Sequence, residues 1–131
     1  MRRKKKSEFL TDVELELMSE LWEIGQGSVR DVLARLPESR TLAYTSAATI
    51  LRIMEDKGFV TSEKSGKTFI YAPVLAKDKY QAKTLRDISD KLFDGTPASL
   101  VARLVDDQGM SEDTLTEIRD LLERRLSKDG G

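Results

Sequence analysis

Thr45, Ser46, Thr49 and Arg52 stand within one stretch, Ala43 to Gly58, whose spacing predicts a helix with two unlike faces. Ala47, Ile50, Leu51 and Met54 recur at i, i+3, i+4 and i+7 and form an apolar face. The opposite side carries Thr45, Ala48, Thr49, Arg52 and Asp56, with Ser46 and Ile53 on its flanks. Small, hydroxyl-bearing residues let a helix backbone approach base edges in a DNA major groove about 12 Å wide. Their hydroxyls can bond phosphates or bases, and threonine methyls can touch thymine. Arg52 can reach a guanine or a phosphate. Lys64 and Lys67 flank Ser65-Gly66, the expected tip of a hairpin, where they can hold neighbouring backbone or probe a minor groove. Tyr44 has two readings of equal weight: a packing residue that anchors the helix start, or a DNA contact. The DNA-binding candidates are therefore Tyr44, Thr45, Ser46, Thr49, Arg52, Lys64 and Lys67. Any one of them alone is ordinary solvated surface, and the argument rests on their order along the chain.

The elements that must position these residues are legible on either side. Thr11 with Glu14 makes a capping box ahead of Leu17, Met18, Leu21 and Trp22, and Gly25 ends that helix. Trp22 is expected in the core. Ser28 with Asp31 opens a second helix through Val29, Val32, Leu33 and Leu36, stopped at Pro37. After the third helix, Phe59 to Glu63 and Thr68 to Ala72 are rich in β-branched and aromatic residues, with Ser65-Gly66-Lys67 as the turn and Pro73 as the stop. Three helices followed by a two-stranded hairpin is the order of a winged helix-turn-helix.

Composition narrows the alternatives. The 131 residues contain no Cys and no His, so disulfides, Cys/His metal sites and Ser-His-Asp or Cys-His catalysis are excluded. The acidic pair Asp106-Asp107 sits where a loop is expected and reads as solvated charge. The chain is not read as an enzyme, and no cofactor or metal is expected. No apolar run approaches the ~20 residues of a membrane span. Five cations follow Met1, but Ser7-Glu8 interrupts before any signal-like apolar stretch, so a cytoplasmic location without membrane insertion is expected. The net charge of −1 hides an uneven distribution. Residues 1 to 6 carry +5, residues 7 to 39 carry −6, residues 40 to 72 carry +2 and residues 73 to 131 carry −2. Positive charge thus collects in an N-terminal arm and in the helix-plus-hairpin segment, as a DNA-facing surface requires.

The remaining chain predicts three short amphipathic helices. One spans Lys77 to Phe93, with Tyr80, Leu85, Ile88 and Leu92, and is broken at Asp94-Gly95. A second opens at Thr96-Pro97, with Leu100, Val101, Leu104 and Val105. The third opens at Ser111, with Leu115, Ile118, Leu121, Leu122 and Leu126. Lys128 to Gly131 is expected to fray. Three such helices are too small to close a core alone. Their apolar faces are expected to pair two copies of the chain through Leu85, Ile88, Leu92, Leu100, Leu104, Leu115, Ile118 and Leu122.

The chain resembles a known family. Leu42-Ala43-Tyr44-Thr45-Ser46 through Thr49-Ile50-Leu51, then Lys57-Gly58-Phe59-Val60 and Phe69-Ile70-Tyr71-Ala72-Pro73, are similar to the penicillinase-repressor (BlaI/MecI) family, which has copper-responsive relatives. Leu10 to Glu14, Leu21-Trp22, Ser99 to Val101 and Met110 to Asp113 fit it too. The resemblance implies a homodimeric transcriptional repressor on a palindromic double-stranded DNA operator, with a C-terminal helical segment that interlocks the subunits. It also implies a sensor or protease pathway that relieves repression. Three departures stand out. The copper branch's C-terminal cysteines are absent. Arg103-Leu104 stands where the β-lactam repressors are cut at an Asn-Phe bond. Ile53 stands where the family often has Arg, with the neighbouring cation at Arg52.

The expected fold is mainly α with a small β-hairpin: a winged-helix DNA-binding domain over residues 1–75, and a helical dimerisation segment over 76–131. The expected function is that of a sequence-specific repressor. The alternative is a winged helix used as a protein–protein module without operator binding.

Overall fold

Thr11 opens the first helix through its side chain. Its hydroxyl accepts the Glu14 N–H at 3.2 Å, and the Glu14 carboxylate accepts the Thr11 N–H at 2.9 Å. This closes the capping box at the start of α1 (Asp12–Ile24). Ser28 and Asp31 repeat the device at 3.1 and 3.0 Å ahead of α2 (Val29–Arg35). The computed structural model describes residues 9–107 and 109–130.

α3 (Tyr44–Lys57) has no side-chain cap at its start, since Ala43 stands there, and it ends at Gly58 in the left-handed conformation. Its stability comes from its buried face, where Ala47, Leu51 and Met54 are inaccessible and Ile50 is half-buried. The antiparallel strands β1 (Val60–Ser65) and β2 (Thr68–Pro73) pair from Val60 opposite Pro73 to Ser65 opposite Thr68. The first strand therefore runs later than the expected Phe59 to Glu63. Lys64 faces Phe69 within the ladder, and the turn proper is Gly66-Lys67. A positive φ of 65° at Gly66, the first central residue of a two-residue turn, is the setting in which glycine carries no steric penalty.

The hairpin gains a third, one-residue partner. The Gly27 N–H donates to the Tyr71 carbonyl at 2.9 Å, and the Tyr71 N–H donates to the Gly27 carbonyl at 2.8 Å. A Cβ at Gly27 would lie 2.8 Å from Ile24 Cδ1 and 3.1 Å from Asp31 Cβ, so a larger residue here would have to displace both side chains. Helices and hairpin share one core of Leu17, Met18, Leu21, Val29, Val32, Ala47, Leu51, Met54, Phe59, Val60, Tyr71 and Tyr80. Each fully buried aliphatic side chain contributes roughly 1.5–3 kcal/mol. Glu14 has a second role: Lys57 Nζ lies 2.8 Å from its Oε2, which ties the end of α3 to the start of α1 in a largely buried ion pair.

Trp22 sits half-buried against this core. Its Nε1–H donates to the Leu75 carbonyl at 2.9 Å, and its ring centroid lies 5.8 Å from that of Tyr80. Tyr80 is on α4 (Lys77–Leu92), and its hydroxyl oxygen accepts the Leu10 N–H at 2.8 Å. Contacts divide the chain into two compact units, one extending to Thr84 and the other starting at Leu85, so the first unit includes the beginning of α4. The second contains the rest of α4, α5 (Pro97–Val105) and α6 (Glu112–Gly130). Asp94 and Gly95, with φ of 54° and 69°, break the chain between α4 and α5. α6 is helical through Gly130, with Lys128 beside the carbonyl end of the helix dipole. Among the described residues, every buried hydrophobic side chain belongs to the first unit.

Candidate nucleic-acid interface

Anchored through Ala47, Leu51 and Met54, α3 turns its other side outward. Tyr44, Thr45, Ser46, Thr49 and Arg52 are all exposed, and so are Ile53, Lys64 and Lys67. Tyr44, Arg52 and Lys67 come together along one cleft of about 320 Å³, which also has Ala48, Glu55, Ser62, Phe69 and Tyr71 in its walls. The cleft separates α3 from the hairpin. Thr45, Ser46 and Thr49 do not line it; they stand on the adjoining exposed side of the helix. Lys64 lies over the ring of Phe69, 5.9 Å from its centroid.

Glu55 and Ser62 hold the cleft at its inner wall. The Ser62 hydroxyl donates to the Glu55 carboxylate, with its oxygen 2.9 Å from either carboxylate oxygen. This bond joins the last turn of α3 to β1. Burial pushes the Tyr71 hydroxyl above the usual tyrosine range; Glu55 pushes the same way, and so does Tyr44 more weakly, while Arg52 opposes them. Tyr71 is therefore a neutral phenol at physiological pH.

The ion pairs separate two groups of cations. Arg35 Nε lies 2.8 Å from Glu20, Arg40 Nε 2.9 Å from Glu16, and Lys57 is bound to Glu14, so acids of α1 neutralise all three. Arg30, Arg52, Lys64 and Lys67 form no ion pair among the described residues. Arg52 and Lys67 line the cleft, and Arg30 and Lys64 lie over the rings of Tyr44 and Phe69 in its walls. Among the cations of residues 9–72, those without an ion pair thus lie around the outer face of α3 and the hairpin; Lys77, Lys79, Lys83 and Arg86 of α4 also form none among the described residues. Asp56 shares the outer side of α3, so the face is not uniformly basic.

Two participants in this surface are absent from the sequence-based candidates. Arg30 of α2 reaches the Tyr44 ring at 5.3 Å, and Phe69 supports Lys64. Residue type and helical spacing carry no signal for Arg30, because its neighbour lies on another helix. For Phe69, its place directly opposite Lys64 in the hairpin register is the signal. The basic arm over residues 1–6 lies outside the described residues. Of the apolar residues expected to pair two copies, Leu85, Ile88 and Leu92 are exposed on α4, Leu104 on α5, and Leu115 and Leu122 on α6. Leu100 and Ile118 are half-buried.

The penicillinase repressor family model matches residues 10–124. The chain belongs to that family. It is 23% identical over 124 residues to the penicillinase repressor of Bacillus licheniformis, covering 95% of this chain and 97% of that one. It is also 23% identical over 116 residues to the methicillin resistance regulatory protein MecI of Mammaliicoccus sciuri, covering 88% and 94%. MecI of Staphylococcus aureus strain N315 is similar at 22% over the same length. The penicillinase repressor family consists of transcriptional repressors and not of enzymes. The winged helix and helical C-terminal segment described above are in keeping with that membership. Among the described residues, no helix is long and apolar enough to cross a membrane.

Proposed function

We propose that this repressor acts as a homodimer on a two-fold-symmetric DNA operator, with one α3 in the major groove of each half-site. Thr45, Ser46, Thr49 and Arg52 would face base edges and adjacent phosphates, with Tyr44 at the entry of the helix. Lys64 and Lys67 would hold the backbone from the hairpin. The observation that supports this reading best is the division of cations. Acids of α1 neutralise Arg35, Arg40 and Lys57, whereas Arg52, Lys64 and Lys67 stay unpaired around the cleft. Phosphate binding needs unneutralised cations on one surface. The names of the relatives, penicillinase repressor and methicillin resistance regulatory protein, are in keeping with it.

Pairing of two copies is supported by the second unit. Leu92, Leu104, Leu122 and Leu126 are each more than half exposed in the single chain. A self-complementary two-fold interface is the commonest way to cover such a surface. Repression would be relieved by a sensor or protease pathway. Arg103 and Leu104 lie inside α5, so a cut at that bond would first require this helix to open.

Selection of bound sites from random duplex DNA tests the proposal. The expected result is an inverted repeat with half-sites one helical turn apart, about 34 Å, or a multiple. Affinity for it is expected to fall steeply with salt, by about 0.9 log units per log unit of salt for each neutralised phosphate. Asymmetric sites, or affinity indifferent to salt, would count against it.

A further inference from the structure

We propose that Arg30 is a phosphate-binding residue of the DNA interface and that the Tyr44 ring holds it in position. The inference rests on the DNA-binding reading above and extends it to a second helix. Arg30 is exposed on α2, with its guanidinium carbon 5.3 Å from the centroid of the Tyr44 ring. A guanidinium that rests its flat side on an aromatic face keeps its N–H edges available. Those edges match the oxygens of a phosphate.

The other arginine of the same helix supplies the comparison. Arg35 lies 2.8 Å from Glu20 and 3.8 Å from Glu23, so α1 compensates its charge. Arg30 has no carboxylate at ion-pair distance among the described residues, and an aromatic ring takes the place of one. Tyr44, for its part, is 48% exposed, too open for a core anchor. A parallel arrangement stands on the hairpin side of the cleft, where Lys64 lies over Phe69. Both rings line the cleft that adjoins the outer face of α3, and phosphates bordering a groove would run past it. Beside the two sequence readings of Tyr44, the geometry adds a third role: the ring positions a cation for the DNA backbone.

The test uses the full chain, a duplex with the selected operator and a scrambled duplex of equal length, titrated over a series of salt concentrations. Arg30→Gln should weaken binding to both duplexes by the same factor, roughly tenfold, as expected for a hydrogen bond to a charged group. It should also lower the salt slope by about 0.9 per lost phosphate contact. Arg30→Lys should restore the slope. Tyr44→Leu should weaken binding, and adding Arg30→Gln to it should cost far less than in the wild-type chain. Unchanged affinity and slope for Arg30→Gln, in a chain that does bind DNA, would overturn the proposal. So would a loss confined to the operator duplex, which would make Arg30 a base reader. Strictly additive effects of Arg30→Gln and Tyr44→Leu would remove the positioning role of Tyr44. If the wild-type chain shows no salt-dependent affinity for either duplex, the DNA-binding reading itself fails, and this proposal with it.

Discussion

Thr49 and Arg52 share a side of α3, but their surroundings differ. Arg52 lines the cleft beside the hairpin, and Thr49 stands clear of it. Each is expected to contribute about 1–3 kcal/mol to operator binding through base contacts, so Thr49→Ala and Arg52→Ala should weaken the operator complex by that much and relax its sequence preference. Titration at fixed salt against operator and single-base variants checks this; equal losses on every duplex would reassign the residue to the backbone. Tyr71 allows a different prediction at the same scale. Burial and Glu55 hold its hydroxyl above its ordinary value in the folded chain, so the folded state retains this proton more firmly than the unfolded one. Stability from this group is then fully present below the ordinary tyrosine pKa of ~10 and is lost as pH rises through the raised value. Tyr71→Phe should flatten the alkaline fall in unfolding free energy while the backbone pairing with Gly27 persists, as urea titrations on either side of pH 10 would show.

At the scale of the element, what was legible depended on how far each interaction reaches along the chain. The capping boxes Thr11–Glu14 and Ser28–Asp31 span three residues, so residue type and spacing alone identify α1 and α2. The exposed face of α3 follows from its apolar period in the same way. The hairpin register follows from its turn, the two-residue Gly66-Lys67, which is tighter than the expected tip of Lys64 to Lys67. That register moves Lys64 from the tip into the ladder opposite Phe69. Arg30 was illegible because its partner ring belongs to another helix. Glu14 joins the local and the distant, since one carboxylate caps α1 and binds Lys57 at the end of α3. Thr11→Ala should therefore cost only the cap, about 1 kcal/mol. Glu14→Ala should cost more, because it also leaves Lys57 largely buried without its partner. Glu14→Gln should fall between them, since an amide oxygen still accepts the Thr11 N–H. Denaturant unfolding of the three variants gives the order, and a Glu14→Ala loss no larger than that of Thr11→Ala would show the ion pair to contribute nothing.

At the scale of the whole molecule, α4 belongs to both units, and Tyr80 shows where the first one ends. Tyr80 falls in the same expected helix as Leu85, Ile88 and Leu92, so the sequence groups it with the C-terminal segment, although by helical period it points away from their stripe. In the fold it is buried instead with Trp22 and Phe59, and its hydroxyl oxygen accepts the Leu10 N–H. Two truncations separate the roles. A chain ending at Leu75 keeps every strand and helix of the winged domain but loses this side chain from the core. Removing a buried aromatic costs about 3–5 kcal/mol, a large share of the 5–15 kcal/mol typical of a domain. A chain ending at Thr84 keeps Tyr80 with the first half of α4 and loses the rest of that helix together with α5 and α6. The longer fragment should unfold at clearly higher denaturant concentration, and both should sediment as monomers with much weaker operator binding than the full chain. Equal stability of the two fragments would deny Tyr80 its place in the core. A dimer that survives the cut at Thr84 would move the pairing surface off the second unit and onto the winged domain.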